Sequence, residues 1–201
     1  MSINDNNSIN LDCYIDASYA VHNDSKSHSG AFFSLGSGPI YVSSTKQNCV
    51  SKSSTEAELI ALTDYIGEAI ATRNVVRDIT GREVNLIVHQ DNQAVLHITK
   101  NGALAGKSKT ASKHVKVRVA WIKERIEAGD FKTQYCPTDI MPSDGLTKPK
   151  SQESFEKFCN DIGIKGPNVP KERAVRFGKV SVMGESDQEA DLSTSSPKRI
   201  D

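Results

Sequence analysis

The sequence predicts an α/β domain built on a mixed sheet with helices on its faces. Three observations carry this. Short β-rich runs open the chain, the apolar period then shifts to that of a helix, and strand and helix alternate from there to about residue 162. A meander followed by β-α-β units puts antiparallel and parallel neighbours into one sheet.

The elements follow in order. Residues 11–19, Leu-Asp-Cys-Tyr-Ile-Asp-Ala-Ser-Tyr, alternate apolar and polar as a strand that closes near Asp16. Residues 29–36 and 39–45 are two β-rich runs joined by Gly36-Ser-Gly-Pro39, the pattern of a hairpin. From Ser53 to about Ile79, Leu59, Leu62, Ile66 and Ile70 recur at helical spacing, and Gly81 supplies a stop. Val84 to His89 reads as a short strand, and Asn92 to Lys100 as a short helix closed near Gly102. A Gly/Ser/Lys loop over 101–112 precedes a long helix, about Lys113 to Ala128, which ends at Gly129. Phe131 to Cys136 is a strand. Pro137 and Pro142 bound a loop that leads to a final helix including Ser151 to Ile162. Residues 1–9 are expected to be a flexible segment, 10–165 the domain, and 166–201 a disordered polar, acidic tail without apolar period.

Composition narrows the class. Charged residues are 25% and apolar ones 37%, enough for a core and too mixed for a wholly disordered chain. No apolar run reaches membrane-spanning length and no secretory signal opens the chain, so an intracellular protein without a membrane partner is expected. Cys13, Cys49, Cys136 and Cys159 lie far apart and read as reduced thiols. The 25 acidic and 25 basic side chains cancel, yet they are not evenly spread. Lys100, Lys107, Lys109, Lys113, Lys116, Arg118, Lys123 and Arg125 face the single acid Glu124. A cationic segment near an acidic cluster suits a metal-dependent nuclease, which must attract phosphates and also ligate cations. A solvated helix face beside an acidic tail has the same composition.

Four carboxylates stand out. Asp16 and Asp91 each close a strand, where ligand sites of open α/β sheets gather. Helix capping explains Asp at such places equally well. Glu56 and Glu58 sit in Ser53-Ser-Thr-Glu-Ala-Glu-Leu59, where Ser53 to Glu56 and Thr55 to Glu58 both fit a capping box. Both flank the apolar stripe, so periodicity leaves open which one faces a site. Asp144 lies at a loop-to-helix junction. The chemistry that would unite such residues is two-metal phosphodiester hydrolysis, with ions roughly 4 Å apart that activate water and stabilise the leaving oxygen. Hard ions require oxygen ligands.

Seven ordered motifs carry a resemblance. Tyr14-Ile-Asp-Ala-Ser-Tyr19, Lys26-Ser-His-Ser-Gly30, Ser53-Ser-Thr-Glu-Ala-Glu-Leu-Ile-Ala-Leu62, Gln90-Asp-Asn-Gln93, Lys113-His114, Tyr135-Cys-Pro-Thr138 and Asp144-Gly-Leu-Thr-Lys-Pro149 closely resemble the ribonuclease H domain of copia-type (Pseudoviridae-like) retrotransposon Pol polyproteins. The resemblance implies a ribonuclease H-like fold with a five-stranded mixed sheet flanked by helices. It implies cleavage of the RNA strand of RNA/DNA hybrids by two Mg²⁺ ions, with Mn²⁺ as a substitute. It carries the catalytic and metal-ligating roles onto Asp16, Glu58, Asp91 and Asp144, and leaves Glu56 to capping or solvent. Ser54, Asn92, Gln93, Lys113 and His114 are implied to touch the nucleic acid, through 2′-hydroxyls, sugars and phosphates. A reverse transcriptase domain in a parent polyprotein is the implied partner. The implied location is the cytoplasm, within a virus-like particle, or the nucleus.

One departure is visible. Ser143 precedes Asp144 and Gly145 follows it, and glycine at a helix start costs roughly 1 kcal/mol against alanine. Asp144 is therefore expected to be held less firmly. Other readings fare worse. Gly102-Ala-Leu-Ala-Gly-Lys-Ser108 has one residue too few between its glycines for a phosphate loop and no strand leading into it. His22, His28, His89, His97 and His114 lack metal-ligand spacing, and Trp121 reads as core packing. A DDE-type integrase would place its last acid as a glutamate on a helix, which this order does not. A transposon-derived nucleic-acid-binding module without turnover is the alternative function.

Overall fold

A computed structural model describes residues 8–36, 38–101 and 113–163. Its strands are β1 (Ile9–Ser18), β2 (His28–Ser34), β3 (Pro39–Lys46), β4 (Val84–Gln90) and β5 (Lys132–Tyr135). Its helices are α1 (Ser54–Thr80), α2 (Gln93–Asn101), α3 (Lys113–Glu127), α4 (Asp144–Thr147) and α5 (Gln152–Asp161). A 3₁₀ turn over Thr138–Ile140 precedes α4. Neither short element carries enough residues to show a period, so the sequence leaves both within a loop. The stretch 102–112 and the tail 166–201 lie outside the described residues. So does the expected flexible N-terminus as far as residue 7, but Ile9 already heads β1 and is fully buried.

The sheet runs β3-β2-β1-β4-β5. β1 pairs antiparallel with β2 and parallel with β4, β2 with β3 antiparallel, and β4 with β5 parallel. Strand alternation decides the layers. Ile9, Leu11, Cys13 and Ile15 of β1 are fully buried, whereas Asn10, Asp12 and Tyr14 between them are partly open. The buried set packs with Leu59, Leu62 and Ile66 of α1, Val95 and Ile98 of α2, and Val115, Val119 and Ile122 of α3 in one core. Trp121 packs at its margin. The opposite face carries the even-numbered residues of β1, among them Asp16, and there the α4 segment lies against β2 and β1.

Local signals place the long helix. Ser53 is the N-cap of α1 and accepts the Glu56 N–H at 3.2 Å, and the Glu56 carboxylate takes the Lys52 N–H at 3.0 Å. Ser53 and Glu56 thus cap the helix start, with the Glu56 carboxylate reaching one residue beyond the N-cap of a standard capping box. Gly81 closes α1 with φ at 63°, a left-handed conformation that glycine adopts without a Cβ penalty.

Candidate active site

Asp16 stands near the end of β1, Asp91 follows β4 immediately, and β1 and β4 are parallel neighbours, so both carboxylates leave the same edge of the sheet. Glu58 comes from the first turns of α1, which lies over β1. With Glu56 occupied in capping, Glu58 is free to turn toward the strands. One carboxylate oxygen from each of Asp16, Glu58 and Asp91 lies within 4.8 Å of the other two. The structure therefore brings three of the four sequence-predicted carboxylates together.

Neutral donors fix each of them. Asp16 accepts the Thr147 hydroxyl at 2.6 Å, Glu58 accepts the Gln90 amide at 2.7 Å and the Ala17 N–H, and Asp91 accepts the Thr138 hydroxyl at 2.8 Å. Asp16 and Glu58 are 3% and 5% exposed. Burial pushes the Asp16 carboxyl above its ordinary range against the Thr147 hydrogen bond, and the Asp91 charge adds to the rise. Burial, then the Asp16 charge, pushes Glu58 well above its ordinary value. Buried anions that repel one another and rest on neutral donors form a donor set that a hard divalent cation fits.

Asp144 stands apart. It opens α4 but is not among the three clustered carboxylates. Its oxygens instead meet Lys148 Nζ at 2.5 Å and Lys150 Nζ at 3.3 Å. Partial burial disfavours its charge, but these two lysines outweigh burial and hold its carboxyl below the usual range. Burial likewise opposes the Lys148 ammonium, yet Asp144, with Asp16 and Asp91 beyond it, raises its pKa.

The expected looseness at Gly145 needs correcting. A Cβ there would sit 2.5 Å from two carbons of the Phe158 ring, so glycine is what lets α5 close onto α4. Gly30 does the same from the sheet. It pairs with Asp16 in the β1–β2 register, and a Cβ on it would meet Thr147 Cγ2 at 2.8 Å and the Ser143 carbonyl at 2.9 Å. Because both positions are bare, α4 seats close enough for Thr147 to reach Asp16.

The residues expected at nucleic acid divide. Asn92 Oδ1 accepts the Ala94 and Val95 N–H groups and caps α2, while its amide nitrogen makes no hydrogen bond among the described residues. Ser54, Gln93 and Lys113 are exposed. His114 opens α3 beside Lys113 and lies 3.2 Å from Glu56, at the start of α1. Sequence reasoning assigned no role to Thr147, Lys148, Gly30 or Gln90. All four fall inside the motifs, but nothing in the spacing says which neighbour each would meet.

A five-stranded mixed sheet in this order, with carboxylates gathered where β1 and β4 end, is the ribonuclease H fold. The solved LC11-RNase H1, isolated from compost, superposes with a TM-score of 0.54 at 15% identity, covering 74% of this chain and 96% of that one. No family model matches the sequence. Relatives among curated proteins name the particular lineage. The retrovirus-related Pol polyprotein from transposon TNT 1-94 of Nicotiana tabacum is 31% identical over 150 residues, 74% of this chain. That from transposon RE1 of Arabidopsis thaliana is 28% identical over 160 residues, 79% of the chain. Each match spans 11% of the relative's length. The chain is thus a ribonuclease H-fold relative of retrotransposon Pol polyproteins, and the resemblance carried by the seven motifs is met in both sequence and fold.

Proposed function

We propose that this chain hydrolyses the RNA strand of RNA/DNA hybrids with divalent metal ions, as part of a longer Pol polyprotein that also carries a reverse transcriptase domain. The convergence of Asp16, Glu58 and Asp91 carries the reading. Those three would hold one ion, and Asp144 would join them for a second. Mg²⁺, or Mn²⁺ in its place, would activate the attacking water and stabilise the leaving 3′ oxygen.

The chain's own groups prepare that chemistry. Thr147 fixes one oxygen of Asp16, and the Gln90 amide with the Ala17 N–H fixes Glu58, so these two carboxylates are held in place before an ion arrives. Thr138 holds Asp91 from the loop after β5. The start of α3, where Lys113 and His114 lie, offers cationic and hydrogen-bonding groups for a phosphate backbone, and Lys116 and Lys123 continue that charge along the exposed side of the helix. Ser54, Asn92 and Gln93 flank the carboxylates in sequence and on the elements that position them. Their polar groups suit the 2′-hydroxyls that separate RNA from DNA. Among the described residues no helix is long and apolar enough to cross a membrane.

The test is cleavage of a labelled hybrid by the purified chain in Mg²⁺ and in Mn²⁺, with duplex DNA, duplex RNA, EDTA and Asp91→Asn as controls. Cutting confined to the hybrid, and lost in EDTA and in the variant, is the expected result. Hybrid that binds but stays whole would replace this reading with that of a non-catalytic binding module.

A further inference from the structure

Lys148 sits where its charge has work to do. Its ammonium lies 2.5 Å from Asp144 Oδ1, and Lys150 Nζ lies 3.3 Å from Oδ2, so both oxygens of Asp144 already face a cation. The Lys148 charge also acts on Asp16 and Asp91. Its backbone is anchored, because the preceding residue is the buried Thr147 that donates to Asp16. The carboxylates are divided as a result. Asp16, Glu58 and Asp91 form a cluster held by neutral donors, and Asp144 is held by two lysines outside it.

We propose that Lys148 is the resident counter-cation of the second metal position. In the free protein one divalent ion binds at Asp16, Glu58 and Asp91, and Asp144 becomes a ligand only when Lys148 is drawn away. The inference rests on the metal-site reading above and adds to it the side chain that holds Asp144 until an ion takes its place. A divalent ion approaching Asp144 meets the ammonium as a like charge at short range, and must displace it to gain the carboxylate. Lysine suits this exchange, being a compact charge on a flexible stem rather than the fixed fork of arginine. A phosphate of the nucleic acid gives the displaced ammonium another anion, so the second ion would enter together with substrate. Lys148 is a positioning residue on this account, acting through Asp144.

The deciding measurement is Mn²⁺ binding to the full chain without nucleic acid, followed by the electron paramagnetic resonance signal of free Mn²⁺. The wild type is expected to take up one ion tightly. Lys148→Gln should keep that ion and bind a second about tenfold or more tighter than the wild type does, through loss of a nearby like charge. Lys148→Arg, which restores the charge, should return the count to one, and Asp91→Asn should lose the first ion. Two equal ions on the wild type would overturn the proposal and leave the metal site intact. An unchanged second affinity in Lys148→Gln would do the same, as would loss of its first ion, which would make Lys148 merely structural. First-ion binding that survives Asp91→Asn would instead remove the metal-site reading itself.

Discussion

Gly30→Ala isolates the seating of α4 on the sheet. An added Cβ would lie 2.8 Å from Thr147 Cγ2, 2.9 Å from the Ser143 carbonyl oxygen and 3.0 Å from Leu146 Cβ. Ordinary contact begins near 3.4 Å, so α4 must retreat by about half an ångström or more. The obstruction includes backbone, so a rotamer change cannot relieve it. Overpacking of this kind costs about 1–3 kcal/mol. The retreat also stretches the 2.6 Å bond from Thr147 to Asp16, and a hydrogen bond to a charged group contributes about 1.5–3 kcal/mol. The two terms overlap, and replacing a strand glycine by alanine returns about 0.5–1 kcal/mol. The net expectation is a loss of about 2 kcal/mol. With a urea slope of about 2 kcal/mol per molar, the unfolding midpoint should fall by about 1 M with the slope unchanged. Hybrid cleavage should weaken with it, since Asp16 loses its fixed donor. A midpoint that stays or rises would show that the close approach of α4 is not what demands glycine, and the account of Asp16 would go with it.

Other expectations follow from the same contacts. Gly145→Ala should destabilise the protein despite a helix-propensity gain of about 1 kcal/mol, because the new methyl meets Phe158. In a Phe158→Ala background the same change should turn stabilising, and urea melts of the four proteins would show the reversal or its absence. The pH dependence of the metal-free protein has a definite sign. Asp16 and Glu58 have folded-state pKa values raised by burial, so the stability they give is full below their unfolded values, near 4, and is lost as pH rises through the raised ones. Asp144, with its lowered pKa, acts only below that window. Urea midpoints in EDTA should therefore fall as the pH is raised from about 4 upward, and Mg²⁺ should flatten the slope. A midpoint that climbs over that range in EDTA would contradict the buried cluster.

The order of the large elements was legible because each carries its own period, and the strand from Val84 and the helix from Lys113 start where their patterns start. What stayed hidden depends on neighbours distant in sequence. Two capping boxes overlap in Ser53-Ser-Thr-Glu-Ala-Glu58, so the period left the two glutamates equivalent. The resemblance assigned the site to Glu58, and the folded chain supplies the physical reason, with Glu56 turned back to the Lys52 N–H and Glu58 in the cluster. The cost assigned to Gly145 came from helix propensity, which cannot see a ring arriving from another helix. The sequence put Asp144 with the other acids by resemblance, and the four-residue α4 that carries it beside Lys148 has no readable pattern of its own.

The bond from Thr147 to Asp16 joins residues 131 apart in the chain. A protein is made from its N-terminus, and contacts of such long range close late because the intervening loop must first be ordered. Asp16, Glu58 and Asp91 have all been synthesised well before Thr147 exists to complete their setting. On the ribosome, then, the first aspartate waits for nearly the whole domain, and shortened chains ending before residue 147 would carry Asp16 without the clasp that seats it.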